Sequence, residues 1–163
     1  PYRRIGEISV DTTLERAGIA HPPEEVSYLV AQIEKLKPFP DVPAAMEKLH
    51  KRYKLAVLSN GDPDMLEAAR PHHGIAFDHI ISVAAAGSFK PHVETYRKAA
   101  EIAQVKMNEV LFVANHAFDC IGAKAAGMCT AFIDRRKRPF GNWPYQPDLI
   151  VSDFKELAAQ LAP

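Results

Sequence analysis

Polar side chains follow three apolar segments of this 163-residue sequence, and they are the part of the chain best suited to chemistry. They bring a hydroxyl, carboxamides, carboxylates, an imidazole and an ammonium group. In chain order the residues are Ser59, Asn60 and Asp62, then Lys90, and then Asn115, His116 and Asp119. If the segments end at one edge of a sheet, these groups converge there and would hold an anionic substrate.

Each of these residues also has a purely structural interpretation, and both interpretations stay open. The Ser-Asn-Gly-Asp run is what a turn needs, because Asn and Gly tolerate positive φ. Asp62 suits a helix N-cap, with Pro63 at the first helical position. Lys90 alone is compatible with a solvated loop lysine, and His116 with a satisfied polar residue at a helix start. Asp119 would favour a helix N-terminus electrostatically.

The segments that position these residues alternate between strand and helix patterns. Short apolar runs predict strands at 55–58, 80–83, 110–114, 130–133 and 149–151, the first of them buried. Helices are predicted at 63–73, 93–103, 119–126 and 154–161. Such alternation with short connections is typical of an α/β fold, a parallel sheet with helices on both faces. Ligands of open sheets of this kind bind at the carboxyl ends of the strands.

The first 37 residues predict a separate helical unit. One helix covers about 5–17 and ends before Gly18, a residue that favours a helix C-terminus. A second begins at Pro22 and carries apolar residues at helical spacing. The Pro-rich segment 37–43 forbids a continuous helix and predicts a stiff linker. We therefore predict a helical unit at 1–37 and an α/β core at 38–163.

Composition excludes several classes of protein. Lys plus Arg and Asp plus Glu number 20 each, so no net field would hold nucleic acid or an anionic membrane. The one basic run, 135–138, is short and fits a solvated loop or the mouth of the cleft. The longest apolar run, 110–114, is far shorter than the ~20 residues of a membrane-spanning helix. The opening residues do not have the pattern of a signal peptide, and the two cysteines lack metal-type spacing, so we expect a reduced, cytoplasmic protein.

Three motifs in order resemble the haloacid dehalogenase superfamily, and within it the type II 2-haloacid dehalogenases. The resemblance covers almost the whole chain, and the helical unit resembles the later part of that family's cap. The motifs are Leu58-Ser-Asn-Gly61, Ser88-Phe-Lys-Pro91 with Tyr96, and Phe112-Val-Ala-Asn-His-Ala-Phe-Asp119 followed by Gly122-Ala123.

The resemblance implies a hydrolase in which an aspartate displaces halide from a 2-haloacid and water then hydrolyses the ester. Ser59 would hydrogen-bond the nucleophile or the substrate carboxylate, and Asn60 would help to hold the departing halide. Lys90 would keep the nucleophile ionised by lowering its pKa. Asp119 would pair with Lys90 and help to position the hydrolytic water.

Further residues are assigned to the substrate pocket by the same resemblance. Tyr96 matches a tyrosine that supports the site, and Phe118 would help to wall an apolar pocket. Many type II enzymes have Ser-Ser-Asn where this chain has Ala-Asn-His at 114–116. His116 would bind halide there, act as a base, or mark a subgroup with another substrate.

The resemblance implies neither a metal ion nor a cofactor. The magnesium-dependent phosphatases of the superfamily use two acids four residues apart after this strand, because Mg²⁺ prefers carboxylate ligands. The earlier position here is Asn115, which leaves Asp119 alone. A metal-independent dehalogenase is therefore favoured, with a phosphatase or a catalytically inactive binding domain as alternatives. Members of the family often form homodimers, so a homodimer is a further expectation.

One motif of the family is absent from these 163 residues. No Asp-x-x-Gly-Thr sequence, which would carry the nucleophile, occurs in them, and Asp11-Thr-Thr lacks a preceding apolar strand. The family places that motif on a central strand, which should lie between the segments 55–58 and 110–114. We expect a fragment, or a first strand supplied by another molecule, and no dehalogenase activity from these residues alone. Direct pairing of the two segments would contradict this expectation.

Overall fold

A computed structural model describes residues 1–163. Seven helices are present, and we number them α1 Tyr2–Arg16, α2 Pro23–Ala31, α3 Val42–His50, α4 Pro63–His73, α5 Val93–Ala103, α6 Ala117–Ala125 and α7 Phe154–Leu161. The strands are β1 Ala56–Ser59, β2 His79–Ser82, β3 Leu111–Ala114, β4 Cys129–Ile133 and β5 Leu149–Val151. Short 3-10 turns lie at Gln32–Lys35, Val83–Ala86 and Met107–Glu109. No helix has both the length and the apolar character needed to cross a membrane.

The strands form two parallel sheets rather than one. β1 pairs with β2, and β3 pairs with β4, which in turn pairs with β5. No ladder joins β1 to β3, so each has one edge without a strand partner. The segments predicted to flank an absent strand are therefore not paired with each other, and the absence of that strand stays a prediction. The α/β class with parallel strands and helices between them is confirmed.

Burial differs on the two sides of this break. β4 is buried from Thr130 to Ile133, as an internal parallel strand should be. β1 begins with an exposed Ala56 and is otherwise only half-buried, and all four residues of β3 are half-buried. The prediction of a buried first strand was therefore wrong for the described residues. The side chains of β1 are as apolar as those of an internal strand, but they are only as buried as those of an edge strand.

The main core lies between α3, α7 and the sheet of β3 to β5. Its buried side chains include Leu49 of α3, Ile133 of β4 and Leu157 of α7. A second cluster joins α5 to α6 through Tyr96, Ala100 and Ala123. Phe112 of β3 packs against this cluster, and the Tyr96 hydroxyl bonds the backbone oxygen of Asp119, so the cluster supports the start of α6.

The prediction of a stiff linker over 37–43 was wrong at its end. Helix α3 begins at Val42 and includes Pro43 in its first turn. A proline is tolerated there because the first N–H groups of a helix have no acceptor within it. The Pro-rich composition therefore indicated the start of one helix as well as the end of the helical unit before it.

Asp41, directly before α3, joins three elements of the core. Its carboxylate accepts both guanidinium N–H groups of Arg135 at 2.9 and 2.7 Å, and the backbone N–H of Phe154 at 2.9 Å. The guanidinium also lies over the ring of Phe39, 4.4 Å from its centroid. The Arg135 partner holds the pKa of Asp41 below its ordinary value. Arg135 is thus an internal partner, although a solvated basic loop was one of the two expectations for its segment.

Replacing Asp41 by asparagine is expected to lower the free energy of unfolding by about 2–4 kcal/mol, because a largely buried guanidinium loses its counter-charge. Urea unfolding measures the change. The matched control is Glu67→Gln, which removes the exposed pair with Arg70 at 3.4 Å. That change should cost at most about 0.5 kcal/mol. Equal effects of the two substitutions would contradict a structural role for Asp41.

Candidate active site

The carboxyl end of β1 holds two of the predicted residues. Ser59 is the last residue of the strand, and its hydroxyl accepts the N–H of Gly61 at 3.0 Å. Asn60 follows, and its side-chain oxygen accepts the backbone N–H of Lys90 at 2.9 Å. This bond fixes the carboxamide and ties the loop after β1 to the loop that carries the lysine. The amide NH₂ of Asn60 is left to donate to a ligand.

Lys90 and Asp119 form an ion pair where the loop after β2 meets the first turn of α6. The lysine Nζ lies 3.2 Å from Oδ1 of the carboxylate and hydrogen-bonds Oδ2 at 3.3 Å. Both side chains are only 11% exposed. The ammonium group also lies 5.5 Å from the centroid of the Phe112 ring, a cation–π contact. The structure thus brings together a cation and an anion that the sequence separates by 29 residues.

Tyr96 supports this pair from within the core. The side chain is fully buried, and its hydroxyl donates to the backbone oxygen of Asp119 at 3.3 Å. The ring meets that of Phe112 edge-on, with centroids 5.4 Å apart. Burial raises the pKa of Tyr96 well above its ordinary value, so the phenol stays neutral and remains a donor. In this structure Tyr96 contacts the backbone beneath the pair.

The open side of the site carries two rings from the start of α6. His116 and Phe118 are both exposed, and their ring centroids are 5.8 Å apart. Phe118 is 48% exposed, which is unusual for a large apolar side chain beside a buried ion pair. His116 occupies the N-cap position of the helix, but its side chain makes no capping hydrogen bond. Both rings are available to contact a ligand above Asp119.

The sequence predicts that Asp62 caps α4, but its carboxylate does not cap that helix. Pro63 does begin that helix, yet the Asp62 side chain makes no hydrogen bond to it. Its two oxygens instead accept the backbone N–H groups of Tyr2 and Arg3, at 2.8 and 2.9 Å. These bonds, that of Arg3 foremost, hold the pKa of Asp62 below its ordinary value. The chemistry of an N-cap was inferred correctly, but the helix is a different one.

Two contributors to the site could not be identified as such from the sequence. Phe112 lies beneath the ammonium group of Lys90, and strand periodicity does not distinguish it from any core residue. Gly122 lies so close to neighbouring loops that a Cβ there would be 2.6 Å from the Tyr96 hydroxyl oxygen and 2.7 Å from Cβ of Pro91. The motif contained this glycine, but only the packing explains it.

The structure contains no group of three or more His, Cys, Asp or Glu side chains arranged to hold a metal ion. Asn115, where a second carboxylate would stand, is half-buried beside β3. The partner that Asp119 has in this structure is Lys90. That the reaction needs no metal stays a prediction.

Comparison with known proteins gives consistent matches. The profile described as haloacid dehalogenase-like hydrolase matches residues 3–127. An (S)-2-haloacid dehalogenase of Pseudomonas sp. strain YL is 34% identical over 157 residues, covering 94% of this chain and 68% of that protein. The chain spans between about half and 70% of the length of the curated relatives that it matches.

Comparison with solved structures gives matches to the same kind of enzyme. The L-2-haloacid dehalogenase RSc1362 superposes with a TM-score of 0.94 at 25% identity, covering 100% of this chain and 73% of the other. The L-2-haloacid dehalogenase of Xanthobacter autotrophicus, solved with chloropropionic acid covalently bound, has a TM-score of 0.89 at 28% identity. That match covers 98% of this chain and 75% of the other.

Proposed function

Since the chain belongs to the haloacid dehalogenase-like hydrolases, and among them to the L-2-haloacid dehalogenase family, we propose that the complete protein converts short 2-haloalkanoic acids to 2-hydroxy acids. The observation that carries the proposal is the Lys90–Asp119 ion pair at the meeting of two strand ends. Asn60 is fixed beside it by the bond from the Lys90 backbone. The cation and the amide donor are groups that a displacement of halide by a carboxylate uses, and the Asp119 carboxylate would serve the water of the second step.

We place the nucleophile on a strand between β1 and β3. Both strands have an unpaired edge, and their apolar side chains are only half-buried. An added parallel strand would pair with both edges and bury those side chains. Its carboxyl end would then lie between Asn60 and Asp119, next to the Lys90 ammonium group.

The reaction then proceeds in two balanced steps. An oxygen of the nucleophilic aspartate forms a bond to C2 of the substrate while the carbon–halogen bond breaks, and the halide leaves with its electron pair. Lys90 keeps the aspartate ionised, and Asn60 donates its amide to the departing halide. Water next attacks the carbonyl carbon of the ester and passes its proton to Asp119. The tetrahedral intermediate expels the alkoxide of the 2-hydroxy acid, which takes that proton back from Asp119. The regenerated aspartic acid then loses its own proton to solvent and returns to the ionised form.

Halide release from 2-chloropropionate with excess EDTA tests the proposal on the complete gene product. We expect sustained chloride release there, and none from residues 1–163 alone. A single turnover in ¹⁸O-water should label the enzyme and leave the product unlabelled, because the product oxygen comes from the aspartate. Hydrolysis of a phosphate ester with Mg²⁺, in the absence of chloride release, would identify a phosphatase and contradict the proposal.

A further inference from the structure

The carboxylate of Asp62 joins the first helix of the chain to the loop that carries Asn60. It accepts the N–H groups of Tyr2 and Arg3, although Tyr2 is 60 residues away in sequence. These are the first two residues of α1, and such N–H groups have no acceptor within a helix. A negative charge at this end is also favoured by the helix dipole. Asp62 lies in the loop after β1 and therefore acts as an N-cap for α1, a helix of the helical unit and not of the core.

Three further contacts hold the same end of α1, one within the helical unit and two against the core. Arg3 donates to Glu34 at 2.8 Å and also pairs with Asp64 of α4. The ring of Tyr2 lies 6.3 Å from that of Phe89, the residue before Lys90. The first turn of α1 thus contacts both loops that supply polar groups to the candidate site.

A small cavity separates this helix start from those loops. Its volume is about 180 Å³, and Pro1, Asn60, Asp62 and Ser88 are among the residues that line it. The hydroxyl of Ser88 is buried and has no hydrogen-bond partner. The position of α1 therefore sets the shape of the space beside the Asn60 carboxamide.

We propose that Asp62 is a positioning residue, which fixes the start of α1 against the loops of Asn60 and Lys90 and so sets the geometry of both side chains. The proposal rests on the proposed function, in which these two residues act on the halide and the nucleophile. The Asp62 side chain makes no hydrogen bond to α4. Its removal therefore leaves the capping of its own helix unchanged and acts on α1 alone.

The test compares Asp62→Asn and Asp62→Ala in the complete protein. Asparagine keeps one acceptor oxygen and alanine keeps none, so the effects should be graded. We expect kcat to fall by roughly 3- to 10-fold for asparagine and by roughly 10- to 100-fold for alanine, the scale of lost charge-assisted hydrogen bonds. The KM should change by less than about 3-fold, because the groups that Asp62 positions, those of Asn60 and Lys90, act on the transition state. Hydrogen exchange of the Tyr2 and Arg3 amides should accelerate in the same order.

Asp78→Asn is the matched control. Asp78 also accepts a backbone N–H, from Leu55 at 2.7 Å, and it pairs with His50. It lies directly before β2, at the amino end of the β1–β2 pair and thus at the end remote from the candidate site. The control should lower thermal stability as Asp62→Asn does, without changing kcat or the exchange of the α1 amides.

The outcomes separate this proposal from the proposed function. If the wild-type protein releases no halide, the proposed function fails. The positioning role is then judged by hydrogen exchange alone, and unchanged exchange of the Tyr2 and Arg3 amides in Asp62→Ala would overturn it. If the wild type is active, a wild-type kcat in Asp62→Ala overturns that role. An equal loss of kcat in Asp78→Asn does the same, since it would indicate a general effect of stability.

Discussion

Replacing Lys90 by methionine is expected to lower kcat for 2-chloropropionate about 100- to 1,000-fold in the complete protein, the scale on which loss of one preorganised hydrogen-bond donor lowers kcat. Methionine keeps the length of the side chain and its contact with Phe112 but removes the positive charge. The nucleophile then loses the charge that favours its ionised form. Chloride release at saturating substrate measures the loss.

The same substitution should also destabilise the fold. The side chain of Asp119 is only 11% exposed and would lose its cationic partner. Removing one member of a buried pair costs about 3–5 kcal/mol, whereas removing both costs less. The double variant Lys90→Met/Asp119→Asn should therefore unfold at a higher urea concentration than Lys90→Met alone. It should remain inactive, which separates the loss of catalysis from the loss of stability.

Lys124→Met is the control for both effects. Lys124 lies on α6, as Asp119 does, and it pairs with Asp148 in a more exposed position. Its loss should leave kcat unchanged and cost at most about 1 kcal/mol. A wild-type kcat in Lys90→Met would contradict the role proposed for the lysine.

A single methyl group at Gly122 should disrupt the site without changing any polar residue. In Gly122→Ala the new Cβ meets the Tyr96 hydroxyl at 2.6 Å and Pro91 at 2.7 Å, both below any real contact distance. Tyr96 is fully buried, and Pro91 adjoins Lys90, so relief of the clash must displace the support of the ion pair. We expect the free energy of unfolding to fall by about 1–3 kcal/mol. The kcat/KM should fall about 100-fold, as for a displacement of about 1 Å at a catalytic group.

Gly6→Ala provides the same chemical change on another helix. A Cβ there would lie 3.4 Å from a methyl group of Val30, an ordinary contact. Alanine is favoured over glycine within a helix by about 1 kcal/mol, so this variant should be as stable as the wild type or more so. If both alanine variants behaved alike in urea unfolding and in turnover, the close packing at Gly122 would not be the cause.

Local signals explain which elements could be predicted. α4 was predicted with the bounds that the structure has, because Pro63 begins it and Gly74, with φ of 62°, ends it. The ends of α7 were also predicted, since Asp153 accepts the N–H of Glu156 in an ordinary N-cap. Helix α3 was missed because its start is marked by a proline that also reads as a helix breaker.

The arrangement of the site depends on contacts that no local pattern encodes. The motifs named Lys90 and Asp119, but their distance and burial follow from the contact of a loop with the first turn of α6, and the two residues are 29 positions apart. Asp62 was predicted as an N-cap from its neighbour Pro63, while its real partners lie on α1. Such pairs are selected by the packing of whole elements, and a single sequence records only that each side chain is able to take part.

The Asp41–Arg135 pair also has a consequence for the order of folding. β1 with β2 and β3 with β4 are joined through single intervening helices, so both pairs form by short loop closures. The Asp41–Arg135 pair closes a loop of 94 residues, and it joins the start of α3 to the loop after β4 and the start of α7. The entropy of that closure is repaid only when α3 and α7 meet over the sheet. The β1–β2 and β3–β4 pairs are therefore expected to form early in folding. The contact of α3 with α7 is expected to form late, with Asp41 among the last residues to reach native contacts.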